Sequence, residues 1–225
     1  MQEKFIGRNK EIQEFRELIE RSTPSICVIY GRRRIGKSEL IKEAYQDKKV
    51  LIFEGLENKP KKEQIEHFIF QLGFQLKIKS EKTYSSWKKA FLVLYEAIKN
   101  NPYHIVFDEF QWMANYKNDI VAELKFVWEQ HFLKIKGTTL VLCGSIASYM
   151  IDRVIKSSAL YGRCELQIHL KAFRINETRM MLQERSEREI IEAHLFTGGI
   201  PKYLSLLRDK PSIRIGIEEL AFKTS

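Results

Sequence analysis

Eight residues carry the plainest chemistry in this sequence. Gly31-Arg32-Arg33-Arg34-Ile35-Gly36-Lys37-Ser38 has two glycines with four residues between them, then Lys and Ser. That is the pattern of a phosphate-binding loop. Gly31 and Gly36 let the backbone turn where a side chain would block it, so that successive N–H groups can face inward. Lys37 has the reach and charge for β- and γ-phosphates, and the Ser38 hydroxyl is a ligand type for Mg²⁺. Arg32, Arg33 and Arg34 make the loop basic; each reads either as attraction for phosphate or as solvent-facing charge.

A second set lies at Asp108-Glu109, where the apolar run His104-Ile105-Val106-Phe107 ends in two adjacent carboxylates. Downstream of a phosphate loop, Asp108 can hold the shell of a Mg²⁺ ion, usually through water. Glu109 can orient the attacking water and take its proton. Ser145 ends another apolar run, where its hydroxyl can sense the γ-phosphate or cap the following helix. Arg163, in the loop Ser157–Arg163, reads as an arginine finger or as a surface charge.

These residues need elements to hold them. Apolar runs predict five strands, near 26–30, 50–53, 104–108, 138–143 and 164–170. Helical spacing predicts helices between them. The first carries Ile12, Phe15, Leu18 and Ile19 on one face, and another follows the phosphate loop from Glu39. A third follows Pro60, with Asn58 as its cap and Gly73 as a kink or end. Further helices span about Ser85–Ile98, Asp119–Leu133 and Ile146–Ile155. Alternating strands and helices make an α/β fold with a parallel sheet and right-handed crossovers, whose ligands sit at the carboxyl ends of the strands. After Phe173 the pattern is helical: one helix capped by Asn176, one from Glu187 to Phe196, and one starting at Pro201. The expected division is an α/β core over 1–172 and a small helical lid over 173–225.

Composition bounds the rest. At 225 residues with 44% apolar content the chain can bury a sizeable core. Its 38 basic against 29 acidic residues give a net charge of +9, which suits an acidic partner or an ordinary solvated surface. Lys59, Lys61, Lys62, Lys77, Lys79, Lys82, Lys88 and Lys89 crowd one region and could face nucleic acid or only water. Cys27, Cys143 and Cys164 have no paired spacing and read as reduced core residues of a cytoplasmic protein. No apolar run reaches membrane-spanning length, and none near the N-terminus forms a signal-peptide core.

Six motifs in order then resemble the archaeal-type ATPase family, a STAND-like branch of the AAA+-related P-loop ATPases. They are Ile6-Gly7-Arg8-Asn9-Lys10-Glu11, the loop Gly31–Ser38, Asp108-Glu109-Phe110-Gln111, Leu142-Cys143-Gly144-Ser145, Leu160-Tyr161-Gly162-Arg163, and Gly198-Gly199-Ile200-Pro201-Lys202-Tyr203-Leu204. The resemblance covers nearly the whole chain. It implies a five-stranded sheet in the order 5-1-4-3-2 with helices on both faces, followed by the lid. It implies ATP as ligand and Mg²⁺ as cofactor. The nucleotide set it implies is Gly7, Arg8, Gly31, Arg32, Arg33, Arg34, Ile35, Gly36, Lys37, Ser38, Glu39 and Pro201. Ser38 and Asp108 would hold the metal, and Lys37, Glu109, Ser145 and Arg163 would act in catalysis, Arg163 within the chain or on a neighbouring subunit. Pro201 would bring the lid against adenine or ribose, so that the lid's angle reports nucleotide state.

Members of this family usually carry a winged-helix region and often an effector domain after the lid. This chain stops at Ser225 inside what reads as a further helix, so it is expected to be a fragment or a short member. The expected activity is Mg²⁺-dependent ATP hydrolysis. The alternative is a nucleotide-gated binding switch with negligible turnover, docking nucleic acid, a protein effector or a second copy. A small-molecule kinase fits less well, because the Gly-Gly-Ile-Pro loop offers no acceptor pocket.

Overall fold

A computed structural model describes residues 5–78, 83–115 and 119–222. Lys79 and Lys82 of the basic cluster, and the residues after 222 in the expected lid, lie outside them. Five strands form one parallel sheet: β1 (Ser25–Tyr30), β2 (Val50–Glu54), β3 (His104–Asp108), β4 (Thr139–Gly144) and β5 (Cys164–His169). Their spatial order is β2-β3-β4-β1-β5, which is the expected 5-1-4-3-2 read from the other edge. The runs are apolar throughout because both faces are covered. Ile26, Val28, Phe53, Phe107 and Leu142 point to one face, and Cys27, Ile29, Val106, Val141 and Cys143 to the other.

The first face packs against α3 (Lys61–Leu76), α4 (Trp87–Ile98), α5 (Phe110–Met113) and α6 (Asp119–Gln130). Phe53, Phe68, Phe91 and Phe107 meet there ring against ring, with centroids 4.4–5.9 Å apart. The second face packs against α1 (Asn9–Ile19) and α2 (Lys37–Ala44). The free thiols of Cys27 and Cys143 are buried in the sheet, and burial raises both well above the usual thiol range.

Several helix ends differ from the sequence expectation. Gly73 does not end α3, which runs on to Leu76. The chain reverses at Lys77 with φ 57° and returns over Gly73, whose carbonyl accepts the Ile78 N–H at 2.9 Å. Asn58 stands too early to cap α3; Pro60 holds that position. The helix expected to end at Leu133 ends at Gln130, and a short 3₁₀ turn, Phe132–Lys134, follows. The expected Ile146–Ile155 helix is α7 (Ala147–Tyr149) running into a wider π turn over Met150–Ile155.

The C-terminal helices are α8 (Ile175–Met181), α9 (Glu187–Thr197), α10 (Pro201–Arg208) and α11 (Ile213–Phe222). They enclose their own apolar cluster of Phe173, Leu182, Ile190, Ala193, Leu204, Leu207 and Ile213. Asn176 lies inside α8 and does not cap it; Glu177 accepts the Arg174 N–H at 2.8 Å instead. Pro201 occupies the first turn of α10, where its missing N–H has no helical partner to lose.

Candidate functional site

The carboxyl ends of β1, β3 and β4 bring most of the sequence-identified residues together. Parallel pairing of β1 with β4 and of β4 with β3 puts Tyr30, Gly144 and Asp108 at one end of the sheet. The loop Gly31–Ser38 runs from β1 into α2, so the helix start faces the same space and favours an anion there. Gly31 allows the loop to pass under β5's end: a Cβ on it would sit 2.2 Å from the Leu170 carbonyl oxygen.

Lys37 is buried, and its ammonium arches back over the loop to donate to the carbonyls of Gly31 at 3.1 Å and Arg32 at 3.2 Å. Ser38 Oγ donates to Asp108 Oδ2 at 3.0 Å, joining α2 to the end of β3. The other Asp108 oxygen accepts the Glu109 N–H at 2.9 Å. That bond helps to fix Glu109 in the left-handed region at φ 48°, ψ 47°, unusual for a residue with a side chain.

The Glu109 carboxylate turns toward β4. Its Oε2 accepts the Ser145 hydroxyl at 2.7 Å and the Gln111 side-chain amide. Gln111 is fully buried; it also donates to Ser145 Oγ at 3.1 Å and accepts the Ser145 N–H at 3.3 Å. The alternative of Ser145 as a helix cap is not what is seen: its hydroxyl holds Glu109, and Ile146 precedes α7. In the sequence Gln111 stands only as the last residue of the motif Asp108-Glu109-Phe110-Gln111. The signal was its place two residues after Glu109 and between two aromatics, a polar side chain among residues that must be buried.

Glu54, paired with Asp108 across β2 and β3, is a third carboxylate at this end. Burial raises its pKa, and the nearby Asp108 and Glu109 charges raise it further. Among the described residues no cluster of three or more His, Cys, Asp or Glu side chains is arranged to cage a metal. A Mg²⁺ ion here would take phosphate and water as most of its ligands, with Ser38 and Asp108 supplying the protein oxygens. The hydroxyl and hard carboxylate oxygens present fit that role.

A cleft of about 680 Å³ lies beside the loop, lined by Phe5, Ile6, Arg8, Ile35, Gly36, Glu39, Phe173 and Pro201, among others. Arg8 is buried, with φ 59°. Its guanidinium lies 4.8 Å from the Phe173 ring centroid and donates to the Lys171 carbonyl, while its N–H donates to Glu177 at 3.3 Å. Burial lowers the Arg8 pKa, against the opposing pull of Glu177 and Glu11. Gly7 packs on the same Glu177, where an added Cβ would lie 2.5 Å from Oε1. The N-terminal turn, the phosphate loop and the C-terminal helices therefore border one cleft.

The other loop arginines diverge. Arg32 is exposed. Arg33 pairs with Glu57 at 3.1 Å and lies over the Trp112 ring at 4.9 Å. Arg34 reaches Tyr203 of α10. Glu39 pairs with Lys42. Arg163 precedes Cys164, which pairs with Ile26 at the amino end of β1. It thus lies at the end of the sheet opposite the phosphate loop, held by Glu129 at 2.8 Å. Of the basic cluster, Lys59, Lys61 and Lys62 pair with Glu63, Glu123 and Glu66.

A family described as an ATPase domain predominantly from Archaea matches residues 5–207. An uncharacterized protein of Methanocaldococcus jannaschii is 25% identical over 205 residues, 91% of this chain, and the match covers 44% of that protein's length. Among solved structures, the Walker-type ATPase PABY2304 of Pyrococcus abyssi superposes with a TM-score of 0.64 at 20% identity, covering 99% of this chain and 69% of that one. The ORC2 protein of Aeropyrum pernix, in ADPNP–ADP complexes, gives a TM-score of 0.65 at 15% identity, covering 100% and 71%. No helix among the described residues is long and apolar enough to cross a membrane.

Proposed function

Because the chain belongs to the family of ATPase domains found predominantly in Archaea, we propose that it binds ATP with Mg²⁺ and hydrolyses it at the carboxyl end of its sheet. The observation that carries the reading is the pair of bonds converging there. Ser38 meets Asp108 at 3.0 Å and Glu109 meets Ser145 at 2.7 Å, which supports a reading in which phosphate, metal and attacking water share this end of the sheet.

In this reading Gly31 to Ser38 wrap the phosphate chain, and Lys37 leaves its loop carbonyls to neutralise β- and γ-oxygens. Ser38 and Asp108 hold the metal, whose charge supports the leaving phosphate. Glu109 orients the attacking water and takes its proton, and Ser145 steadies Glu109 or the γ-phosphate. Gly7, Arg8, Glu39 and Pro201 border base and ribose. The core over 1–172 and the lid from 173 onward move against each other as the nucleotide changes. Arg163 serves only a second copy, since it faces away from its own loop.

The second reading, a nucleotide-gated switch with negligible turnover, is favoured by one observation. Arg163 lies at the end of the sheet away from its own phosphate loop, tied to Glu129. A finger supplied in trans can contribute a factor of about 10³–10⁵, so an isolated copy would turn over very slowly. The DNA or protein partner of such a switch would meet the basic surface.

The test measures ATP binding and hydrolysis by wild type and Glu109→Gln, with and without double-stranded DNA. Turnover in wild type, lost in the variant while binding persists, supports the ATPase. Binding without turnover in either protein supports the switch. Absence of binding removes both.

A further inference from the structure

The phosphate loop and the C-terminal helices meet at Arg34. This residue holds φ 67° inside the loop, a conformation that persists in a non-glycine residue only where its surroundings fix it. Both halves of Arg34 are engaged by α10. Its guanidinium donates to the Tyr203 hydroxyl at 2.8 Å and lies 5.3 Å from that ring's centroid. Its carbonyl accepts the Lys202 N–H at 3.4 Å. Lys202 is the second residue of α10, so its N–H is one of the helix-start donors with no partner in their own helix.

The peptide joining Arg34 to Ile35 is trans, and peptide units are planar, so its carbonyl and its N–H point opposite ways. With the carbonyl drawn to the start of α10, the Ile35 N–H is turned away from α10. A loop of this kind binds phosphate through N–H groups that face inward together. We infer that Tyr203 and the first turn of α10 form a latch that sets the Arg34–Ile35 peptide for phosphate contact, so that the C-terminal helices control affinity for the phosphate chain itself and not only for the base. This rests on the nucleotide-binding reading above. Tyr203 is a positioning residue in it, touching Arg34 and not the ligand. Coupling of this kind is reciprocal: phosphate binding then favours the docked position of α10.

The experiment displaces a fluorescent N-methylanthraniloyl-ADP from the whole chain with ADP and with tripolyphosphate, which carries phosphates and no base. Tyr203→Phe removes the hydroxyl and keeps the ring. It is expected to weaken ADP and tripolyphosphate by the same factor, about three- to tenfold, with thermal unfolding unchanged. Arg34→Ala weakens both as well, and the double variant is no weaker than the poorer single, because both changes break one contact. Unchanged competition in Tyr203→Phe overturns the latch. So does a loss for ADP alone, which would put Tyr203 against base or ribose, and so do additive losses in the double variant. Failure of wild type to bind the fluorescent ADP sinks the nucleotide reading before any substitution is made, and the latch goes with it.

Discussion

The Ser145 hydroxyl donates to Glu109 Oε2 across 2.7 Å, tying the end of β4 to the residue that follows β3. A carboxylate held this way is pointed before any ligand arrives. Removing its charge should cost chemistry and spare binding: Glu109→Gln is expected to lower kcat by about 10²–10⁴, the usual worth of a general base, with nucleotide affinity within a few-fold of wild type. Steady-state hydrolysis and equilibrium binding on the same preparations check this, and equal losses in both would refute the role.

Gln111 serves as a brace for both partners of that bond. Gln111→Leu keeps the volume and removes the amide, leaving the part-buried Ser145 N–H without its acceptor. The expected cost is about 1–3 kcal/mol in stability, read by denaturant unfolding. It should come with a kcat loss of about tenfold and an unchanged KM, since the base is misaimed while the phosphate loop is intact.

What the sequence made legible was local. The loop Gly31–Ser38 and the pair Asp108-Glu109 are contiguous, so residue type and flanking runs sufficed to place them at the carboxyl ends of strands, and the sheet order followed from the family resemblance. The brace was not legible, because Gln111 meets Ser145 only once β3 and β4 lie side by side and α5 turns the chain back toward Gly144. That Arg163 lies far from the phosphate loop was legible as well: it directly precedes the strand expected at 164–170, and in a parallel sheet that is the end opposite the loop. Part of the basic cluster is legible as ion pairs. Lys62 precedes Glu66 by four residues, a helical pairing visible in the sequence, whereas Lys59 reaches Glu63 from before α3 and the Lys61–Glu123 pair spans two helices.

Gly31→Ala tests the close passage of the loop under the end of β5. The added methyl would meet the Leu170 carbonyl oxygen at 2.2 Å, and neither backbone can yield without moving its strand end. A loss of about 1–3 kcal/mol is expected, together with weakened nucleotide binding because the loop is displaced. A variant with wild-type melting and binding would show that the passage is looser than this geometry.

His104 gives the fold a pH dependence. It is buried at the start of β3, with its ring 4.9 Å from that of Tyr45, and Nδ1 accepts the Thr139 N–H at 3.3 Å. Burial and the nearby Lys48 lower its pKa from 6.5 to about 4, with Glu20 opposing. The folded state therefore takes up this proton only near pH 4, whereas the unfolded chain takes it up near pH 6.5. Stability from this group is fully present above the unfolded value and falls as pH drops from about 6.5 to about 4. The loss is on the order of 3 kcal/mol at most, then levels off. His104→Gln keeps an acceptor for Thr139 and has no proton to gain. Its stability relative to wild type should rise through that window in urea unfolding series. A difference that stays constant from pH 7 to pH 4 would show that His104 does not resist protonation in the folded protein.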